Sequence, residues 1–288
     1  MRVKSGTLAL LYPLFAVTTW GTNIVAGRFL VYTHGVSGIA LSYLRFLLAA
    51  PMLLALAIVT MNSRVAKINA KDLPLLGVGG LLGVALFNVM LYSSLEYITA
   101  STSAFLASMS SPITYIILVV AGLEKAELKP ITGVILSITG LYILLANGIE
   151  VYNVKGVLYA LIAALSWSGY TILVKILSSK YNPLQILVWA TITGTIMLTP
   201  ATVNEKLLYT DPIIISLILY IAAVPGALGY LAWNIGVEKA GPTKSAVFIP
   251  CVPLVATSLG LVLLGEPLSA SQFIGGVLIV VGILMVIK

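Results

Sequence analysis

Trp20, Asn23, Asn88, Tyr92, Trp167, Tyr170, Tyr230, Trp233 and Asn234 interrupt stretches that are otherwise apolar. Asn23 follows Trp20 by three residues in "TTWGTNIVAGRFL" (18–30), so both fall on one helical face. Asn88 and Tyr92, at i and i+4, share another face. Amides and phenols donate and accept hydrogen bonds, and indole rings offer flat walls that stack on planar or cationic groups. This chemistry suits holding a small polar molecule. Bond-making chemistry needs a nucleophile with a base, paired carboxylates or a metal. The chain has one histidine, His34, and one cysteine, Cys251, so no Cys/His metal cluster and no internal disulfide can form. Neither an enzyme nor a cofactor is expected.

The elements that carry these residues must live in lipid. The chain of 288 residues is 60% hydrophobic and 9% charged, against roughly 25% charged in soluble domains. The expectation is an all-α integral membrane protein. Ten segments have the ~20 apolar residues that a crossing needs: 7–29, 37–60, 73–93, 100–122, 131–147, 155–177, 184–202, 213–234, 242–264 and 271–287. The first is too long for a cleaved signal peptide and reads as a retained helix. Basic residues alternate between sides. Arg2, Lys4, Arg64, Lys67, Lys71, Lys125, Lys129, Lys180, Lys239, Lys244 and Lys288 oppose only Arg28, Lys155 and Lys206. Both termini are therefore predicted to be cytoplasmic, in a prokaryotic inner membrane. The net charge of +7 is spread along loops, which argues for topology and not for nucleic-acid binding.

The sequence contains itself twice. At an offset of 142, Glu96 falls on Glu238, Ser103-Ala104 on Ser245-Ala246, Glu124 on Glu266, Gly133 on Gly275 and Gly140 on Gly282. Nearer the N-terminus the offset is 147, which sets Trp20 on Trp167 and Arg28 on Lys175. Five helices per copy invert the second copy. The predicted organisation is a 5+5 inverted-topology repeat, 1–148 and 149–288, around a central cavity. Such repeats place substrate near the midplane and exchange their conformations. Across the repeat, Asn and Tyr interchange: Asn23 with Tyr170, Asn88 with Tyr230, Tyr92 with Asn234.

Three stretches carry a family resemblance. "WGTNIVAGRFL", "LSYLRFLLAA" (41–50) and "PLVATSLGLVLLGEPLS" (253–269) resemble the helix 1, 2 and 9 motifs of EamA-type drug/metabolite transporters. A weaker copy, "PITYIILVVAGLEKAEL" (112–128), has Leu123 where the family usually has Gly. The resemblance implies a ten-helix transporter that moves a metabolite, with helices 1, 3, 4, 6, 8 and 9 around the cavity. An amino acid or similar zwitterionic or neutral solute, exported by alternating access, fits the aromatic and amide lining. A nucleotide-sugar or phosphorylated-sugar carrier is the alternative, and a channel or structural bundle a distant one. The expected partners are substrate and lipid, with a monomer as the functional unit.

The remaining polar residues divide two ways. Buried amides that only join helices are worth ~0.6 kcal/mol each, and this is the competing reading of the site residues. Arg28, Arg45 and Lys175 are candidate charge partners for a substrate. Arg28 and Lys175 end their spans and can snorkel to headgroups, whereas Arg45 lies deep. Ser101, Ala104, Ser108 and Ser111, with Thr243, Ala246, Pro250 and Pro253 opposite, read as small packing faces, with a cavity wall as the alternative because small residues also make room. Gly79 with Gly83, and Gly133/Gly140 with Gly275/Gly282, also read as packing. Pro225-Gly226 reads as a hinge, and Glu124 and Glu266 as caps or loop contacts.

Overall fold

The computed structural model describes residues 9–61, 67–145, 153–240, 245 and 248–286. The predicted repeat boundary at 148/149, Arg2, Lys4, Arg64, Thr243, Lys244, Ala246 and Lys288 lie outside the described residues. All regular structure among the described residues is helical. Among the described residues seven helices are long and apolar enough to cross a membrane: α1 (Leu11–Thr33), α2 (Gly38–Met61), α3 (Ala70–Ser94), α4 (Ala100–Val120), α6 (Val154–Leu177), α7 (Pro183–Thr202) and α8 (Pro212–Lys239). Three shorter apolar helices complete the order: α5 (Leu128–Leu144), α9 (Cys251–Leu264) and α10 (Ala270–Val286).

The helix starts follow from local chemistry. A helix leaves its first N–H groups unpaired, and a preceding oxygen can accept from them. Thr99 serves α4, Asn153 serves α6 and Asp211 serves α8. Asn182 and Gln185 form a reciprocal capping box at α7. Gly122 (φ +69°) and Gly265 (φ +64°) adopt left-handed conformations after α4 and α9, where a β-carbon would be strained. Each turn folds the next glutamate back. Glu124 N–H donates to Leu118 O (3.1 Å), and Glu266 N–H to Gly260 O (3.2 Å). At the Glu124 end of the bundle, Tyr181 gives its proton to Asp72 (2.7 Å). That bond to the carboxylate pushes the Tyr181 pKa up.

Two helices loosen next to the aromatic residues. α3 contains a π-helical stretch, Leu81–Leu86, and α8 another, Ala222–Gly229. The second contains Pro225, the expected hinge, which has no N–H to give the ladder. Helices α5 and α10 cross on glycine, as expected. A β-carbon at Gly133 would lie 2.5 Å from Gly282 O, and one at Gly140 would lie 2.7 Å from Gly275 O. The Gly79/Gly83 pair behaves differently from expectation. A β-carbon at Gly79 would meet nothing within 4 Å, while Gly80 abuts Ala190 O of α7 and Gly83 receives the Tyr170 ring. The i, i+4 spacing therefore does not mark one interface there. Large apolar side chains such as Ile58, Val59, Ile135 and Val262 cover the outside.

Candidate substrate site

An aromatic waist forms where α1, α6 and α8 meet. Trp20 lies 5.1 Å from Trp167, 5.7 Å from Tyr230 and 5.2 Å from Trp233, between ring centroids. Trp167 also meets Tyr170 at 5.2 Å and Tyr230 at 5.5 Å. The loosened turn of α8 helps to fix it, because the Trp20 indole N–H donates to Pro225 O (3.3 Å). Gly83 makes room on the other side. A β-carbon there would sit 2.3 Å from the Tyr170 ring.

A directional hydrogen-bond network adjoins the waist. Arg45 Nη1 donates to Asn88 Oδ1 (2.7 Å) and to Tyr92 Oη (2.9 Å). Guanidinium groups carry donors only, so both partners must accept. Tyr92 then gives its own proton to Asn23 Oδ1 (2.6 Å). The Asn23 Nδ2 is thereby turned away from Tyr92. Asn88 Nδ2 is left to donate to Gly83 O, Val84 O and Tyr230 Oη, and Tyr230 donates on to Gly83 O. On the remaining face, Asn234 Nδ2 donates to Pro183 O (3.4 Å).

Two cavities meet at this waist. One, of about 50 Å³, is lined by Trp20, Asn23, Arg45, Phe87, Trp167 and Tyr230 among others. The second, of about 110 Å³, is lined by Trp167, Trp233, Thr171, Glu124 and Lys175 among others. Ser110, Trp167 and Ile249 belong to both walls. The bundle ends differ. At one end Arg28 Nε pairs with Glu266 Oε1 at 2.9 Å, Arg28 Nη1 also donates to Leu95 O, and the guanidinium lies 3.6 Å above the Tyr32 ring. Glu266 Oε2 accepts from Ala100 N (2.9 Å), which caps α4. Glu124 follows the opposite end of α4, about 30 Å away for 21 residues at ~1.5 Å each. There Glu124 and Lys175 line the larger cavity and do not form an ion pair.

The structure thus connects the waist residues, Asn23, Asn88, Tyr92 and Arg45 in one cluster. In this conformation Trp20, Asn23, Trp167, Tyr230 and Trp233 reach a cavity wall. Asn88, Tyr92, Tyr170 and Asn234 are buried behind those walls. Arg28 differs from the snorkelling expectation: it is 9% exposed and clasped by Glu266. Helix length explains this, since α1 continues past Arg28 to Thr33 and keeps that residue inside the bundle. Lys175 remains exposed. Ser108 and Ser111 line cavities, the alternative to packing for that face. Helix α4 breaks at Met109 and turns Ser110 inward as well. Ser110, Phe87 and Ile249 carry no signal in the repeat, and periodicity alone cannot find them.

A protein-family model, the EamA-like transporter family, matches residues 7–146 and again 154–288. A transporter of Archaeoglobus fulgidus is 27% identical over 94% of this chain and 96% of its own length. A protein of Streptantibioticus cattleyicolor named "Probable terminal-alkyne amino-acid exporter" is 26% identical, over 99% of this chain and 94% of its own. An Escherichia coli protein named "Probable amino-acid metabolite efflux pump" is also 26% identical, over 98% and 94%. One crystal structure superposes with a TM-score of 0.72 at 17% identity, covering 97% of this chain and 96% of that one. With its apolar helices, the chain is an integral membrane protein, and it belongs to the EamA-like transporter family.

Proposed function

We propose that this chain is a secondary transporter that exports a small amino-acid-like solute by alternating access. The observation that carries the reading is the contrast between the ends of the bundle. Arg28 and Glu266 clasp one end, while their repeat mates Lys175 and Glu124 stand apart on a cavity wall at the other. A transporter that exchanges the conformations of two inverted halves would exchange these two pairs. The twofold family match supports the 1–148 and 149–288 repeats. So do the matched π-helical stretches, and the bond between Asn88 and its own repeat mate Tyr230. On this reading all ten apolar helices cross the bilayer, and both termini are cytoplasmic. The clasped end then faces outward. Trp20, Asn23, Asn88, Tyr92, Trp167, Tyr170, Tyr230, Trp233 and Asn234 form the substrate pathway, and Pro225-Gly226 allows α8 to bend.

Amino-acid-like solutes are favoured because the waist is aromatic and amide-lined, and because two relatives are named for amino-acid export. A phosphorylated substrate would call for several deep cations, and the cavities contain Arg45 and the peripheral Lys175. The test is counterflow in proteoliposomes against amino acids, nucleotide sugars and cationic drugs, with and without a proton gradient. Saturable amino-acid exchange is expected. Exchange restricted to nucleotide sugars, or no exchange of any solute, would end this reading.

A further inference from the structure

Among the described residues Arg45 is a charge without a counter-charge. Its side chain is 1% exposed, about 10 Å along α2 from Gly38. The two ion pairs among the described residues are Arg28–Glu266 and Lys180–Asp72. Guanidinium does not lose its proton in a protein, so its charge persists. A charged group inside a membrane protein is costly and ordinarily finds a partner. Asn88 and Tyr92 occupy Nη1, but among the described residues the buried Nε finds no hydrogen-bond partner and Nη2 makes no hydrogen bond. Phe46 and Tyr230 present rings 5.0 and 5.3 Å from the guanidinium carbon. Rings soften the charge and leave its hydrogen-bond donors unmet. Gly226, in the loosened turn of α8, leaves the space beside Nε free: a β-carbon there would lie 3.2 Å from that atom.

The neighbours point the same way. Arg45 and Asn23 line the same cavity. Because Arg45 forces Tyr92 to accept, Tyr92 must donate to Asn23 Oδ1, and Asn23 Nδ2 is left as a second uncommitted donor. No Asp or Glu among the described residues lines this cavity. Among the described residues the site therefore offers positive charge and donors, and lacks an anionic acceptor. Nor is Arg45 a by-product of the duplication, since α7, the repeat mate of α2, carries no charged residue between Pro183 and Leu198.

We infer that Arg45 and Asn23 form a receptor for the carboxylate of the transported solute, so that the substrates are carboxylates and supply the missing counter-charge. A guanidinium and a carboxylate match as planar, charge-assisted hydrogen-bonding groups. Asn88 and Tyr92 hold the fork in place. The aromatic waist beside it can take an ammonium group or a ring. This inference deepens the transport reading and rests on it for the direction of the cavity, but its test needs binding alone.

The probes are L-phenylalanine, L-phenylalaninamide and 3-phenylpropionate, titrated by tryptophan fluorescence against the full chain in detergent. The acid and the phenylpropionate should bind at least about tenfold more tightly than the amide, as expected for hydrogen bonds to a charged group. Arg45→Gln should remove that preference, bringing acid and amide to the same affinity, while Arg45→Lys should keep part of it. The wild-type comparison stands even if a variant fails to fold. Equal binding of acid and amide, no binding of either carboxylate, or an undiminished preference in a folded Arg45→Gln variant would each overturn the inference. Binding of phenylpropionate without phenylalanine would retain the carboxylate receptor and count against amino acids as the solute.

Discussion

Arg28 and Glu266, 238 residues apart, meet at 2.9 Å with side chains only 11% and 10% exposed. Breaking a buried pair leaves one charge uncompensated, at a cost of ~3–5 kcal/mol. The same carboxylate caps α4 at Ala100, so Glu266 ties α1, α4 and the α9–α10 turn together. Glu266→Gln should loosen this end and shift the conformational balance toward its opening. A cysteine at Leu91, on the cavity wall, would then be labelled faster from the Arg28 side in a Cys251→Ser background. Glu124→Gln should not speed that labelling, because its carboxylate has no partner to lose in this conformation. Equal labelling of both variants would rule out a gating role for the clasp. Arg28→Lys should also weaken the clasp, since an ammonium cannot reproduce the bond to Glu266, the bond to Leu95 O and the stacking on Tyr32 at once.

Gly79 and Gly83 give an internally controlled pair. A methyl group at Gly79 meets nothing within 4 Å, whereas at Gly83 it would meet the Tyr170 ring at 2.3 Å. Thermal unfolding in detergent should show Gly79→Ala as neutral or slightly stabilising. Gly83→Ala should cost about 1–3 kcal/mol, as overpacking does. Equal effects would mean that Tyr170 moves away freely and is not held at the waist.

These two glycines also show what the sequence reveals. Apolar length and the scarcity of charge place the helices, because lipid permits few other arrangements. The Asn and Tyr positions were legible because polar groups in hydrocarbon stand out. The glycine spacing misled, since small residues admit close approach on any face and Gly80, not Gly79, meets α7. Arg28 was misjudged for a related reason: span ends read from hydropathy stop at the charge, while the helix runs on to Thr33. Phe87, Ser110 and Ile249 stayed hidden because an apolar or small residue in an apolar run carries no contrast. Their role comes from the break in α4 and the packing around Trp167.

The orientation rests on the basic residues of the loops and can be read directly. With both termini cytoplasmic, a single cysteine replacing Ser63 in a Cys251→Ser background should resist impermeant maleimide in intact cells and react after lysis. Labelling in intact cells would reverse the topology, and the Arg28–Glu266 clasp would then face the cytoplasm.

Asn23 separates structural linkage from recognition. Its Oδ1 accepts the Tyr92 proton at 2.6 Å, and Tyr92 is fully buried. Asn23→Leu strands that proton, at a cost of ~1–3 kcal/mol for an unsatisfied buried donor. It also removes Nδ2 from the cavity. The two effects can be told apart by adding Tyr92→Phe, which removes the stranded hydroxyl while Arg45 keeps its bond to Asn88. Stability should then recover most of its loss, a coupling that a double-mutant cycle reads directly. Substrate affinity should remain down, by about 2- to 12-fold for one lost hydrogen bond of ~0.5–1.5 kcal/mol. Trp20→Ala should cost more affinity than either, because Trp20 packs against Trp167, Tyr230 and Trp233 at the waist. If affinity returns together with stability in the double variant, Asn23 only holds the helices together and the recognition role falls.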